Sequence, residues 1–100
     1  MNEKVVGKFE TGKICISGLF TQKYGPDAHD WYPVMMSFLM RHANMDWGDL
    51  TEIERLCNDL ALERGERILS SYATDKGSVW IVTEGDRSVT TVLLPEEYQG

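Results

Sequence analysis

The stretch from Arg67 to Tyr98, RILSSYATDKGSVWIVTEGDRSVTTVLLPEEY, constrains the fold more than any other part of the chain. Its β-branched and aromatic residues gather in three runs, over about 67–73, 78–84 and 88–94, with turn residues between them. Thr74-Asp75-Lys76-Gly77 separates the first two runs, and Gly85-Asp86 reads as a two-residue hairpin turn. Connections this short join only antiparallel neighbours, so the three runs form a meander. The middle run alternates Val79, Ile81 and Thr83 with Trp80, Val82 and Glu84. Both sets are largely apolar, which marks a central strand, with Trp80 or Ile81 as a core anchor depending on the parity that faces inward. Pro95 ends the last run because it cannot donate to a ladder.

The residues before this meander supply one strand and two main helices. Lys13-Ile14-Cys15-Ile16-Ser17 is a β-branched run that Gly18 closes. Leu19, Phe20 and Tyr24 suit a short helical turn, and Gly25-Pro26-Asp27 is a loop by its turn chemistry. Asp30 is placed to cap a helix over about 31–43, with Pro33 in its first turn. Trp31, Val34, Met35, Phe38, Leu39 and His42 recur at spacings of three and four along one face, which Met36 and Met40 widen. The three methionines read as adaptable core. Residues 44–49 break the periodicity. A second helix is expected over about 50–64, opened by Asp49-x-x-Glu52 or Thr51-x-x-Glu54 as a capping box and closed by Gly65. Ile53, Leu56, Cys57, Leu60 and Ala61 form its expected buried stripe, and Asn58 beside that stripe requires a hydrogen-bond partner. The expected fold is a single α+β domain over 1–100: an N-terminal strand, two main helices and a three-stranded antiparallel meander, with the helices on one face of the sheet.

Composition narrows the function classes. One hundred residues, 42% hydrophobic and 26% charged, suit one globular domain with one core. The longest apolar-rich run, 31–40, falls short of the roughly 20 residues of a membrane span, and the N-terminus lacks the apolar run of a secretory signal. The expected compartment is therefore the cytoplasm, with no membrane partner. A net charge of −6 and scattered Lys and Arg lack the basic footprint of nucleic-acid binding. The acidity suits a basic partner surface, whereas DNA mimicry usually shows denser acidic runs. Cys15 and Cys57 read as two small buried hydrophobes in a reducing compartment. With His29 and His42, they fall at no metal-ligand spacing, so neither a metal nor a cofactor is expected.

Asp46-Trp47-Gly48-Asp49-Leu50, Asn58, Arg67-Ile68-Leu69-Ser70-x-Tyr72 and the run from Trp80 to Tyr98 together resemble a family of small, uncharacterised bacterial proteins carried on plasmids and other mobile elements. The resemblance spans about 41–98. It implies a genetic setting and no activity. Some such proteins carry the label of a type I restriction methylation subunit, but this chain has neither a Gly-rich cofactor loop nor an Asn-Pro-Pro-Tyr-type motif.

Eight residues form a candidate polar cluster. Arg41 and His42 end the first helix, Asp46, Trp47 and Asp49 occupy the interhelix loop, and Glu84, Asp86 and Arg87 surround the last hairpin. If the loop and the hairpin meet at one sheet end, Arg87 is expected to pair with Asp46 or Asp49 and tie the two segments together. Trp47 is expected to be a buried anchor. The principal reading is a non-enzymatic accessory or interaction protein with a protein partner or a second copy as its ligand. The alternative is a small ribonuclease-like enzyme or phosphate-ligand binder. In that reading Arg67 and Arg87 hold phosphate, Glu84 acts as base, and His42 or Tyr72 acts as acid.

Overall fold

The computed structural model describes residues 7–25 and 27–98; Pro26, read above as loop, and the N-terminal residues 1–6 lie outside them. Strand β1 (Lys13–Ile16) leads into helices α1 (Gly18–Tyr24), α2 (Ala28–Ala43) and α3 (Glu52–Arg64). Strands β2 (Ile68–Thr74), β3 (Gly77–Thr83) and β4 (Val89–Leu93) follow, then a 3₁₀ turn over Pro95–Glu97. The fold is α+β, and the four-stranded sheet has the order β1-β4-β3-β2. The meander is antiparallel, as its short turns require, while β1 lies parallel to β4.

Local chemistry sets each helix start. Ser17 caps α1 by accepting from the Phe20 N–H, which turns the expected helical turn into a third helix. Asp27, rather than Asp30, caps α2, so the helix begins earlier and Pro33 lies beyond the first turn. Thr51 and Glu54 form the capping box of α3. Asp49 does not start that helix, because its Oδ2 accepts from the Ala73 N–H at 2.7 Å. Gly65 closes α3 in the left-handed region, at φ 67. The β3–β4 connection is longer than the two residues expected: Arg87 donates its N–H to the Glu84 carbonyl and itself has φ 62. Asp86 accepts from both the N–H and the hydroxyl of Ser88, an Asx turn that needs the extra residues.

The parity of β3 is resolved in favour of Ile81. Val79, Ile81 and Thr83 face α1 and α2, and Ile81 joins Phe20, Met35, Leu39, Tyr72, Val92 and Leu94 in the main core. Trp80 turns to the other face, where the C-terminal segment covers it and Tyr98 packs edge-on at 5.4 Å. Of the three methionines on α2, Met35 is buried, Met36 is partly buried against the core and Met40 is exposed.

Beside β2 the sheet edge is closed without another strand. Asn58 on α3 donates to the Leu69 carbonyl at 2.7 Å and accepts from the Leu69 N–H at 3.2 Å. The Ser71 N–H bonds the Trp47 carbonyl, and the Ser71 carbonyl accepts from the Asp49 N–H. Gly48 sits at φ 74 so close to Ser71 that a Cβ there would overlap its carbonyl. The loop therefore runs as a short parallel bridge along β2, which removes an open edge. This bridge seats Trp47, only 4% exposed, against Ala61 and Ile68 in a second small core. Its indole N–H donates to Asp59 Oδ1 at 3.0 Å. The expected anchor role holds. Trp47→Ala should cost about 3–5 kcal/mol, read as a lowered midpoint in urea denaturation; an unchanged midpoint would contradict the anchor.

Candidate functional site

The eight residues of the polar cluster do not meet in one cleft. Arg41 Nε pairs with Asp46 Oδ2 at 2.7 Å, and the guanidinium lies over the Tyr72 ring at 4.8 Å. The hydrogen bond from Arg41 holds the Asp46 carboxyl below its ordinary range. The Tyr72 hydroxyl donates to the Asp46 carbonyl at 2.7 Å, so the same loop is tied down from the sheet. Burial pushes the Tyr72 phenol well above its usual value. Asp49 is engaged at the β2 edge as described. On the other side of the sheet, Glu84 pairs with Arg67 at 3.2 Å, and Arg67 also donates to the Tyr98 hydroxyl at 3.3 Å. Asp86 is committed to Ser88, whose hydrogen bonds lower its pKa.

Arg87 does not pair with Asp46 or Asp49. Its Nη1 donates to the carbonyls of Glu66, at 2.7 Å, and Glu84, at 3.0 Å. Its Nη2 donates to the carbonyls of Ala61, at 3.2 Å, and Leu62, at 3.4 Å. The reason lies in α3. The last turn offers carbonyls to a cation even where cap bonds already reach them, as those from Gly65 and Glu66 do at Ala61, and its dipole favours positive charge there. Gly85 brings the hairpin against Gly65 at that helix end, so the guanidinium fork finds backbone oxygens before any carboxylate. Arg87 does join two segments, but they are the hairpin and the end of α3. The left-handed backbone at Arg87 is retained by these bonds.

His42 is fully buried between α2 and the sheet. Its Nδ1 lies 2.5 Å from Ser70 Oγ and its Nε2 lies 2.8 Å from Thr83 Oγ1. Thr83 Oγ1 is 2.7 Å from Thr90 Oγ1, which donates to the Thr11 carbonyl at 2.6 Å. The carbonyl can only accept, and this fixes the direction of each bond from Thr90 back to the imidazole Nε2. Thr90 spends its proton on Thr11, so it accepts from Thr83. Thr83 then accepts from His42 Nε2–H, and Ser70 Oγ sits between Nδ1 and the Tyr72 hydroxyl. Phe9 and Trp47 cover the ring edge-on, at 5.5 and 5.7 Å. Burial, helped by the Arg87 charge, pushes the His42 pKa down to about 3. A neutral imidazole with both nitrogens bonded in a sealed core locks α2 to β2 and β3. It has no access to a substrate.

The feature that sequence reasoning missed is on α3. Ile53, Leu56, Cys57 and Leu60, expected to be buried, are exposed, with Ile53 at 73%, Leu56 at 57% and Leu60 at 45%. At 100° per residue, Ile53 and Leu60 lie within about 20° of each other, with Leu56 and Cys57 about 50° to either side. Asn58 and Leu62 sit on the opposite side of the helix, towards the body of the protein. The helix was turned by its polar residue: Asn58 pairs with β2, which swings the apolar stripe into solvent. Cys57 is thus exposed, contrary to the reading of both cysteines as buried, while Cys15 is partly buried in β1. No group of His, Cys, Asp or Glu suited to a metal occurs among the described residues.

No family model matches the chain, and neither a curated protein nor a solved structure is significantly similar to it.

The His42 chain carries a pH signature. His42 stays neutral in the fold to about pH 3, whereas its unfolded value is near 6.5, so the unfolded state gains the proton first. Stability should be complete above pH 6.5 and fall as pH drops from 6.5 towards 3, by up to about 1.4 kcal/mol per pH unit. His42→Gln should lose that slope between pH 6.5 and 4.5 in urea titrations; equal slopes in both proteins would refute the assignment. Arg87→Lys keeps the charge but cannot span the carbonyls, and should lower stability by about 1–3 kcal/mol. A thermal melt identical to that of the parent would contradict the capping role.

Proposed function

We propose that this chain is a small non-enzymatic accessory protein that works by docking a protein surface through the exposed apolar stripe of α3. The stripe carries the reading. Its four residues point away from the body of the protein, and contiguous exposed apolar surface marks interaction sites. The fate of the polar cluster supports the same view, because Arg41, His42, Asp46, Asp49 and Arg87 are occupied by internal hydrogen bonds. The setting in a bacterial mobile element rests on the resemblance of residues 41–98. The net charge of −6 weighs against a nucleic-acid partner. Among the described residues, no helix is long and apolar enough to cross a membrane.

One observation favours a second reading as a phosphate-ligand or ribonuclease-like site. A shallow cleft of about 250 Å³ lies on the sheet face opposite α1 and α2, lined by Arg67, Glu84, Glu97 and Tyr98 with Val82, Thr91 and Leu93. It lacks the acid that reading needs, since His42 and Tyr72 are buried on the other side. The cation there is already paired with Glu84.

Two measurements separate the readings. The double variant Leu56→Glu/Leu60→Glu should fold with stability within about 0.5 kcal/mol of the parent, as expected for surface positions. Loss of the folded state would place the stripe in the core and reject the docking reading. Incubation with labelled single-stranded RNA should leave the RNA intact. Cleavage that Arg67→Ala and Glu84→Gln both abolish would establish the enzyme reading instead.

A further inference from the structure

We propose that the cleft between α2 and the β2–β3 turn binds a small organic ammonium compound with a flat apolar body. The cleft is separate from the α3 stripe, so this site stands apart from the docking reading. Its volume is about 570 Å³, within the roughly 300–1,000 Å³ of small-molecule sites. Pro33, Val34 and Phe38 line it from α2, and residues 73–76 line it from the end of β2 and the turn. The Phe38 ring lies flat on Tyr72, with centroids 4.7 Å apart and planes 5° apart. One of its faces is spent on that stack, and the rest of the ring borders the cleft as an aromatic surface already fixed in place.

The polar groups of the cleft divide into spent and unspent. Thr74 Oγ1 donates to the Gly77 carbonyl at 2.7 Å, accepts from the Lys76 N–H at 3.0 Å and lies 2.5 Å from the Tyr24 hydroxyl. With the Thr74 proton given to Gly77, Tyr24 donates to Thr74, and neither hydroxyl has a proton left for a ligand. The carboxylates of Asp30 and Asp75 and the hydroxyl of Ser37 form no hydrogen bond or ion pair among the described residues. This contrasts with Asp46, Asp49, Glu84 and Asp86, whose carboxylates are all bonded within the fold. Asp30 packs against Gly25, where a Cβ would overlap it, so packing holds that side chain at the cleft.

These leftovers ask for a cation. A primary ammonium carries three donors, and the unspent acceptor groups of the lining are two carboxylates and one hydroxyl. The one cation among the described lining residues, Lys76, has its Nζ over the Tyr24 ring at 5.6 Å. An ammonium of the chain itself thus already rests on an aromatic face of this cleft. Two carboxylates against one lysine leave the lining net negative, and the net charge of −6 draws cations rather than anions towards it. Both carboxylates are exposed, and exposed ion pairs contribute little, so the affinity should be modest, with a Kd on the order of millimolar.

The test is an amide NMR titration of the full chain with phenethylamine and, separately, 3-phenylpropionate. Phenethylamine should shift the resonances of Ser37 and of residues 74–76 saturably, and the acid should not. Asp30→Asn and Asp75→Asn should each weaken the amine by about 2–5-fold, and added salt should weaken it further. Ser37→Lys, which sets a second ammonium into the cleft from an exposed position, should abolish binding while leaving the rest of the spectrum unchanged. Equal binding of amine and acid would overturn the cation assignment. Unweakened binding by both Asn variants would overturn the role of the carboxylates. Tighter binding of Nα-acetyl-lysine amide than of phenethylamine would make the cleft a reader of a lysine side chain and overturn the small-molecule assignment. No saturable shift by about 10 mM amine, tenfold above a millimolar Kd, would overturn the site itself.

Discussion

The outward edge of β2 presents the N–H and carbonyl groups of Leu69 and Ser71 and the N–H of Ala73, and all five are bonded by elements other than a strand. An open edge would leave these groups to water or to another chain. Here Asn58 takes the Leu69 pair, the Trp47–Asp49 backbone takes the Ser71 pair, and the Asp49 carboxylate takes Ala73. Much of the structure follows from that closure. It fixes the loop after α2, buries Trp47 against α3, and sets the rotation of α3 about its own axis. That rotation decides which residues of α3 see solvent. One buried amide thus links the sheet edge to the surface proposed for docking.

A second constraint acts from the other end of α3. Arg87 gathers the carbonyls of Ala61, Leu62, Glu66 and Glu84, so the last hairpin and the end of α3 are held by one guanidinium. Between these two clamps lies His42, whose Nε2 proton is placed by the carbonyl that ends its chain. The polar residues within the core are paired with one another, and this gives α2, α3 and the sheet one relative placement. Such a network is costly to satisfy partly and rigid when satisfied fully. The residues that first suggested chemistry are the ones that hold the fold together.

How much of this was legible depends on the range of the interaction. The three strands of the meander were readable because period-two patterning and turn residues are local properties. The capping box at Thr51 and Glu54 and the glycine stop at Gly65 were readable for the same reason. The burial of Trp47 was also foreseeable, since a large indole in a Gly-flanked loop gains little from exposure. The partner of Arg87 was not, because four backbone carbonyls leave no trace in residue identity. The turn that contains it is longer than Gly85-Asp86 suggests, because the Asx turn at Asp86 and the left-handed Arg87 carry no glycine signal.

The amino-acid sequence by itself determined the α+β class, the meander, the helical spacing on α2 and the need of Asn58 for a partner. Tertiary structure alone decided where β1 adds to the sheet, which parity of β3 faces inward, and above all which side of α3 is buried. An apolar stripe at helical spacing is the same signal whether it meets the core of its own chain or another surface. On α3 the contest lay between the stripe at Ile53, Leu56, Cys57 and Leu60 and the amide of Asn58 on the opposite side. The amide prevailed because Trp47, Ile68 and Ala61 already filled the space beside β2 and the Leu69 backbone groups required a donor and an acceptor. Competition for one buried position is a property of the assembled fold, and no window of sequence contains it.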